Sequence, residues 1–167
     1  MGGSGAPSES AARPILNLGE QRCIYTHMPR AIDFRECLDC ACFAVRRAAR
    51  AVTQDYDRAL RPSGLRATQF SLLSVLAIGG RTGVSRLAAR LGTERTTVTR
   101  NLRPLLKRGL VAVHPAADGR VREVALTAAG FAALSAALPH WRRVQRAMRR
   151  RLAPPVLETL GALAARG

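Results

Sequence analysis

The chain has 167 residues, 47% of them apolar and 4% aromatic, with a formal net charge of +16. That length suits one domain with a tail, and the scarcity of aromatics leaves packing to Leu, Val and Ala, which favours helices. So positive a field is self-repulsion without folding benefit and calls for an anionic partner, nucleic acid first and an anionic membrane surface second. No apolar run approaches the roughly 18 residues that would span a bilayer as a helix, so no membrane-spanning helix is expected.

Residues 1–32 read as an N-terminal extension, partly disordered, because Gly2, Gly3, Ser4, Gly5, Pro7 and Ser8 offer nothing to pack. No apolar stretch in 1–20 resembles an export signal. The expected location is therefore the cytoplasm, with Cys23, Cys37, Cys40 and Cys42 as reduced thiols. Over 33–60 the pattern is helical: Leu38, Val45, Val52 and Ala59 recur every seven residues, with Ala41, Ala48 and Tyr56 beside them. A helix of about 27 residues exceeds what a small domain needs, and its surplus stripe suits a second subunit.

Pro62-Ser63-Gly64 ends that helix, and another is predicted over 67–77, stopped by Gly79-Gly80. Short helices over 84–91 and 94–107 flank Gly92, and Gly109 closes the second of them. Residues 110–113 and 121–126 read as two strands around the turn Pro115-Ala116-Ala117-Asp118-Gly119. A long amphipathic helix over 128–152 follows, then a short one after Pro154-Pro155. Pro104 and Pro139 fall inside expected helices and predict a kink and a bend.

The segment 84–102 reads as a helix-turn-helix. Val84, Leu87, Ala88 and Leu91 form the inner face of its first helix, and Val98, Leu102 and Leu105 that of the second. The outer face of the second helix carries Arg95, Thr96, Thr97, Thr99, Arg100 and Arg103, side chains that read base edges or clamp phosphates. A merely solvated face would more often pair Glu with Lys at i,i+4. Charge placement agrees: residues 81–122 hold ten basic side chains against two acids. The dominance of Arg, 26 of 27 basic residues, suits bidentate contacts, although a GC-rich genome yields the same bias.

Four pieces in unbroken order carry a resemblance: Leu91-Gly92-x-x-Arg95-Thr96-Thr97-Val98-Thr99-Arg100, then Arg108-Gly109-Leu110-Val111, then Asp118-Gly119-Arg120, then Leu126-Thr127-x-x-Gly130. Together they resemble the MarR family of regulators over residues 36–165. The resemblance implies a triangular homodimer built by N- and C-terminal helices, with a winged helix-turn-helix in each subunit. It further implies that Arg120 of the wing enters the minor groove, steadied by Asp118, and that a small aromatic acid binds a cleft between the dimer helices and the DNA-binding lobe. Tyr56, Arg66, Phe70 and Trp141 are the candidates for that cleft, with a core role as the alternative for the three aromatics.

The cysteines leave three readings open. Cys37 and Cys40 are i,i+3 neighbours on a helix, with Cys42 nearer Leu38 and Val45. Organic-peroxide sensors related to this family carry a reactive cysteine near this point, and a helix N-terminus beside Arg35 favours thiolate. Three thiolates also suffice for a soft metal or arsenite. Alternatively they are small apolar residues at a packed interface. A thioredoxin-like enzyme is a worse fit for Cys37-x-x-Cys40, since no βαβ unit surrounds it. His27, His114 and His140 are too scattered for a zinc finger or hydrolase site.

The expected fold is thus mainly α with a small β-hairpin wing: a winged helix-turn-helix lobe over 67–127 and dimerisation helices at 33–62 and 128–167. The expected function is a homodimeric regulator, in this family more often a repressor, bound to double-stranded DNA at a palindromic operator. It would have no enzyme activity, cofactor or resident metal. The rival readings are a nonspecific architectural DNA-binding protein and a thiol-based redox or metalloid-responsive protein using Cys37, Cys40 and Cys42.

Overall fold

The structure, a computed structural model, describes residues 34–115 and 122–165. Its contacts divide the chain into two units at the Cys40–Ala41 junction. The described part of the first unit is a 3-10 helix, Phe34–Asp39, followed by a Cys40 N–H that donates to the Cys37 carbonyl at 3.3 Å. The sequence predicts one helix over 33–60, and here the structure differs. The i→i−3 winding of 34–39 is not continued, and an α-helix begins afresh at Ala41. Leu38 and Val45 of the predicted stripe are both exposed.

The second unit runs α1 (Ala41–Leu60), α2 (Ala67–Gly79), β1 (Thr82–Gly83), α3 (Val84–Arg90), α4 (Arg95–Lys107), β2 (Val111–Pro115), β3 (Arg122–Leu126), α5 (Ala128–Arg151) and α6 (Pro154–Ala164). The strands form an antiparallel sheet in the order β1-β3-β2, with Val111 opposite Leu126 and Pro115 opposite Arg122. β1 was not expected, since two residues are too few to show a period.

α2 is the hub. It buries Phe70, Leu72, Leu73 and Leu76, and adjacent buried residues on a helix serve two faces. Those faces meet α1, α3, α4, α5 and β3. Leu60, Leu65, Leu87, Val98, Leu102, Leu105, Leu110, Val111 and Val124 complete one continuous core. α1 lies against α5, where the Tyr56 hydroxyl donates to Gln145 Oε1 and Arg151 pairs with Asp55 at 2.7 Å.

Both prolines sit within continuous helices, Pro104 in α4 and Pro139 in α5. Each removes one N–H, leaving the carbonyls of Arg100 and Ser135 without an i+4 donor. α4 ends in a Schellman turn: Leu110 N–H bonds the Leu105 carbonyl and Gly109 N–H the Leu106 carbonyl, both at 2.9 Å, with Gly109 at φ 66°. A side chain at Gly109 would be strained in that left-handed conformation.

Candidate nucleic-acid interface

α3 and α4 cross through Leu87 and Ala88 on one side and Val98, Leu102 and Leu105 on the other, all buried. The turn between them is closed by Thr93 N–H to the Ala88 carbonyl at 3.1 Å. Anchoring α4 by that apolar face turns the opposite face outward. Thr96, Thr99, Arg100 and Arg103 are exposed there, Thr97 is half-buried, and Arg95 is exposed at the first position of the helix. α4 contains no acidic residue, so no arginine on this face has an i,i+4 carboxylate within the helix. The Thr99 hydroxyl donates to the Arg95 carbonyl at 2.9 Å, which fixes its rotamer and leaves its lone pairs as acceptors. Glu94, at the N-cap position, makes no side-chain cap. The first-turn N–H groups are thus not capped by a side chain.

Of the remaining predicted residues, Asp118 and Arg120 lie outside the described residues. The base of their hairpin is described, and one contact there was missed by sequence reasoning. Arg81, read from the sequence as one more cation of the reading field, pairs through Nε with Glu123 Oε2 at 2.7 Å and donates to the Pro115 carbonyl. Arg108, though exposed, likewise donates to a carbonyl of the fold, that of Gly64, at 2.8 Å. Arg90 lies over Gly79, where a Cβ would stand 2.0 Å from its Nη1. Their charge still contributes to the field, but the side chains of Arg81 and Arg108 are held by the fold. No sequence signal separates them from the reading arginines, because all are Arg in a basic stretch.

Of the four cleft candidates the structure brings three together. Tyr56, Phe70 and Trp141 line one cavity of about 300 Å³ with Thr53, Ser71 and Gln145, and Phe70 stacks on Trp141 at 5.8 Å. Burial pushes the Tyr56 hydroxyl up from its ordinary value, so it stays a donor. Arg66 instead lines a separate, open cavity of about 580 Å³ with Arg58 and Arg61. The Leu60–Gly64 turn sends it elsewhere, and no lining residue of the aromatic cavity is cationic.

Cys37, Cys40 and Cys42 are free and exposed. Among the described residues no group of three or more His, Cys, Asp or Glu side chains is arranged to hold a metal ion. Nor is any described helix long and apolar enough to cross a membrane.

A short α3–turn–α4 pair backed by a β-hairpin and flanked by long helices defines a winged helix-turn-helix protein. The model of the MarR family matches residues 63–121. The crystal structure of the transcriptional regulator MosR of M. tuberculosis in complex with DNA is 48% identical over 75% of this chain and 94% of that one, with a TM-score of 0.70. A second MosR structure is 45% identical over 80% and 96%, with a TM-score of 0.68. A probable transcriptional regulator of Pseudomonas aeruginosa is 29% identical over 77% and 96%, at 0.66. No curated protein sequence matches the chain at a significant level. The chain belongs to the MarR family of DNA-binding transcriptional regulators.

Proposed function

We propose that this protein is a homodimeric repressor of the cytoplasm that acts by binding rather than by catalysis. It reads the major groove of a palindromic operator with Arg95, Thr96, Thr97, Thr99, Arg100 and Arg103, and the flanking minor groove with Arg120, steadied by Asp118. The observation that carries this reading is the acid-free Arg/Thr face of α4, held outward by buried Val98, Leu102 and Leu105. That a relative 48% identical was solved with DNA supports it. Dimerisation is assigned to 33–62 and 128–167, and DNA reading to 67–127. Exposed Phe43 and Val45 on α1, and Val156, Leu157, Leu160 and Leu163 on α6, support the first assignment, since apolar side chains in such number favour burial by a second subunit.

The effector is a small aromatic molecule held in the cavity between Tyr56, Phe70 and Trp141, whose size lies at the lower end for ligand pockets. A second signal rests on the exposure of Cys37, Cys40 and Cys42: oxidation or arylation of these thiols weakens operator binding.

Selection of duplexes from a random pool, followed by footprinting, tests the core reading. A palindromic consensus protected over two successive major grooves is expected. Uniform protection without a consensus would establish the architectural reading instead. Operator affinity of the wild type and of a Cys37/Cys40/Cys42→Ser variant, with and without peroxide, tests the thiol reading.

A further inference from the structure

β1 is only two residues long, and its register against β3 places Thr82 opposite Val124 and Gly83 opposite Glu123. Towards the wing β3 continues to Arg122, which pairs with Pro115 of β2 but has no partner on its β1 side. Arg81 precedes β1 at its other end, and its side chain reaches across to both strands of the hairpin. Its Nε lies 2.7 Å from Glu123 Oε2 on the central strand, and its Nη2 donates to the Pro115 carbonyl on the outer strand. One residue fixed to the backbone of β1 thus holds both strands of the hairpin within its last two described pairs. β1 runs directly into α3, so the same residue is rigidly joined to the helix-turn-helix.

Such a bridge contributes little to global stability, because both partners are partly exposed, at 43% and 28% of their side-chain surface. Its consequence is geometric. A two-stranded ribbon is marginal without support, and a groove contact tolerates little misplacement. We propose that Arg81 is a positioning residue, which through Glu123 and the Pro115 carbonyl sets the direction of the wing relative to α4 and so the preference of the protein for the sequence flanking its operator core. This deepens the DNA-binding reading and rests on it.

The test uses duplexes selected from a random pool by the wild-type protein, with the core kept and the flanks made A·T-rich or G·C-rich. Arg81→Ala and Glu123→Ala should each lose the flank preference while keeping the preference for the core over a scrambled core. The double variant should be no worse than either single one, the signature of a shared contact. Glu123→Gln should keep the flank preference, since its amide oxygen still accepts the Arg81 N–H. A purely structural role would lower affinity equally on both flanks, in step with thermal stability measured alongside. Additive effects, a flank preference intact in Arg81→Ala, or a wild type with no flank preference would each overturn the proposal. A wild type that selects no sequence at all would overturn the regulator reading itself.

Discussion

The hydroxyl of Thr127 accepts the backbone N–H of Gly130 at 3.0 Å while donating to the carbonyl of Gly109 at 2.7 Å. One side chain thereby caps α5 and ties it to the end of α4. Gly130 sits so close to the preceding loop that a Cβ would stand 2.0 Å from the Leu110 carbonyl oxygen and 2.7 Å from Leu126 Cδ1. The Leu126-Thr127-x-x-Gly130 motif, read from the sequence as a family resemblance, is a packing device that fixes the wing-to-α5 corner.

Gly130→Ala should therefore destabilise, although Ala is the better helix former by about 1 kcal/mol. The contact is with backbone, which cannot swing aside, and overpacking of this kind costs about 1–3 kcal/mol. Thr127→Ala should lose about 0.5–2 kcal/mol through its cap. Gly79→Ala gives the contrast: its neighbour is the mobile end of Arg90, so chemical denaturation should show no loss.

Thr82 is buried, and its Oγ1 has no hydrogen-bond partner among the described residues. A buried hydroxyl without a partner carries a desolvation penalty of about 1–3 kcal/mol. Thr82→Val keeps the shape and removes that penalty, so it should leave stability unchanged or raise it. A clear loss on thermal unfolding would mean that the hydroxyl is satisfied in solution.

Arg95→Ala and Arg100→Ala should each cost about 1–3 kcal/mol on selected DNA and much less on random DNA if they contact bases bidentately. Equal losses on both would assign them to phosphates. Log affinity should fall steeply with log salt, by about 0.9 per phosphate neutralised. A flat titration would contradict the electrostatic reading.

The Arg58 and Arg151 guanidiniums beside Asp55 hold its carboxyl below the ordinary carboxylate range. A carboxyl whose folded value is depressed stabilises the fold above its unfolded value and loses that contribution as pH falls through the folded one. Melting followed down the acid limb should be steeper for the wild type than for Asp55→Asn. Identical limbs would show that the pair is fully screened by solvent.

Leu157 and Leu160 are each 41% exposed, so replacing both with Glu leaves the monomer core untouched. If α6 forms the dimer interface, Leu157→Glu/Leu160→Glu should lower the dimer fraction in sedimentation and weaken operator binding with it. An unchanged dimer would place the interface elsewhere.

The helix-turn-helix was legible in the sequence because its signal is local. Buried Val98, Leu102 and Leu105 recur at helical spacing, and turning them inward leaves Thr96, Thr99, Arg100 and Arg103 outside, while Arg95 is exposed as the first residue of α4. The strands of the hairpin and the Gly109 stop were legible for the same reason, since alternation and left-handed backbone are properties of a few adjacent residues. What depended on contacts between distant segments was not. Whether Arg66 joins Tyr56, Phe70 and Trp141 is decided by the turn after Leu60, which sends it to a different cavity. Arg81 and Arg100 are the same residue type in the same basic stretch, and only the pairing of β1 with β3 brings Arg81 to Glu123, whereas Arg100 lies on the exposed face of its own helix. Composition and periodicity determine which side chains are available and which face they take; the tertiary structure decides which arginines are held by the fold and which remain for DNA, because a guanidinium's role is set by the nearest carboxylate or carbonyl in space.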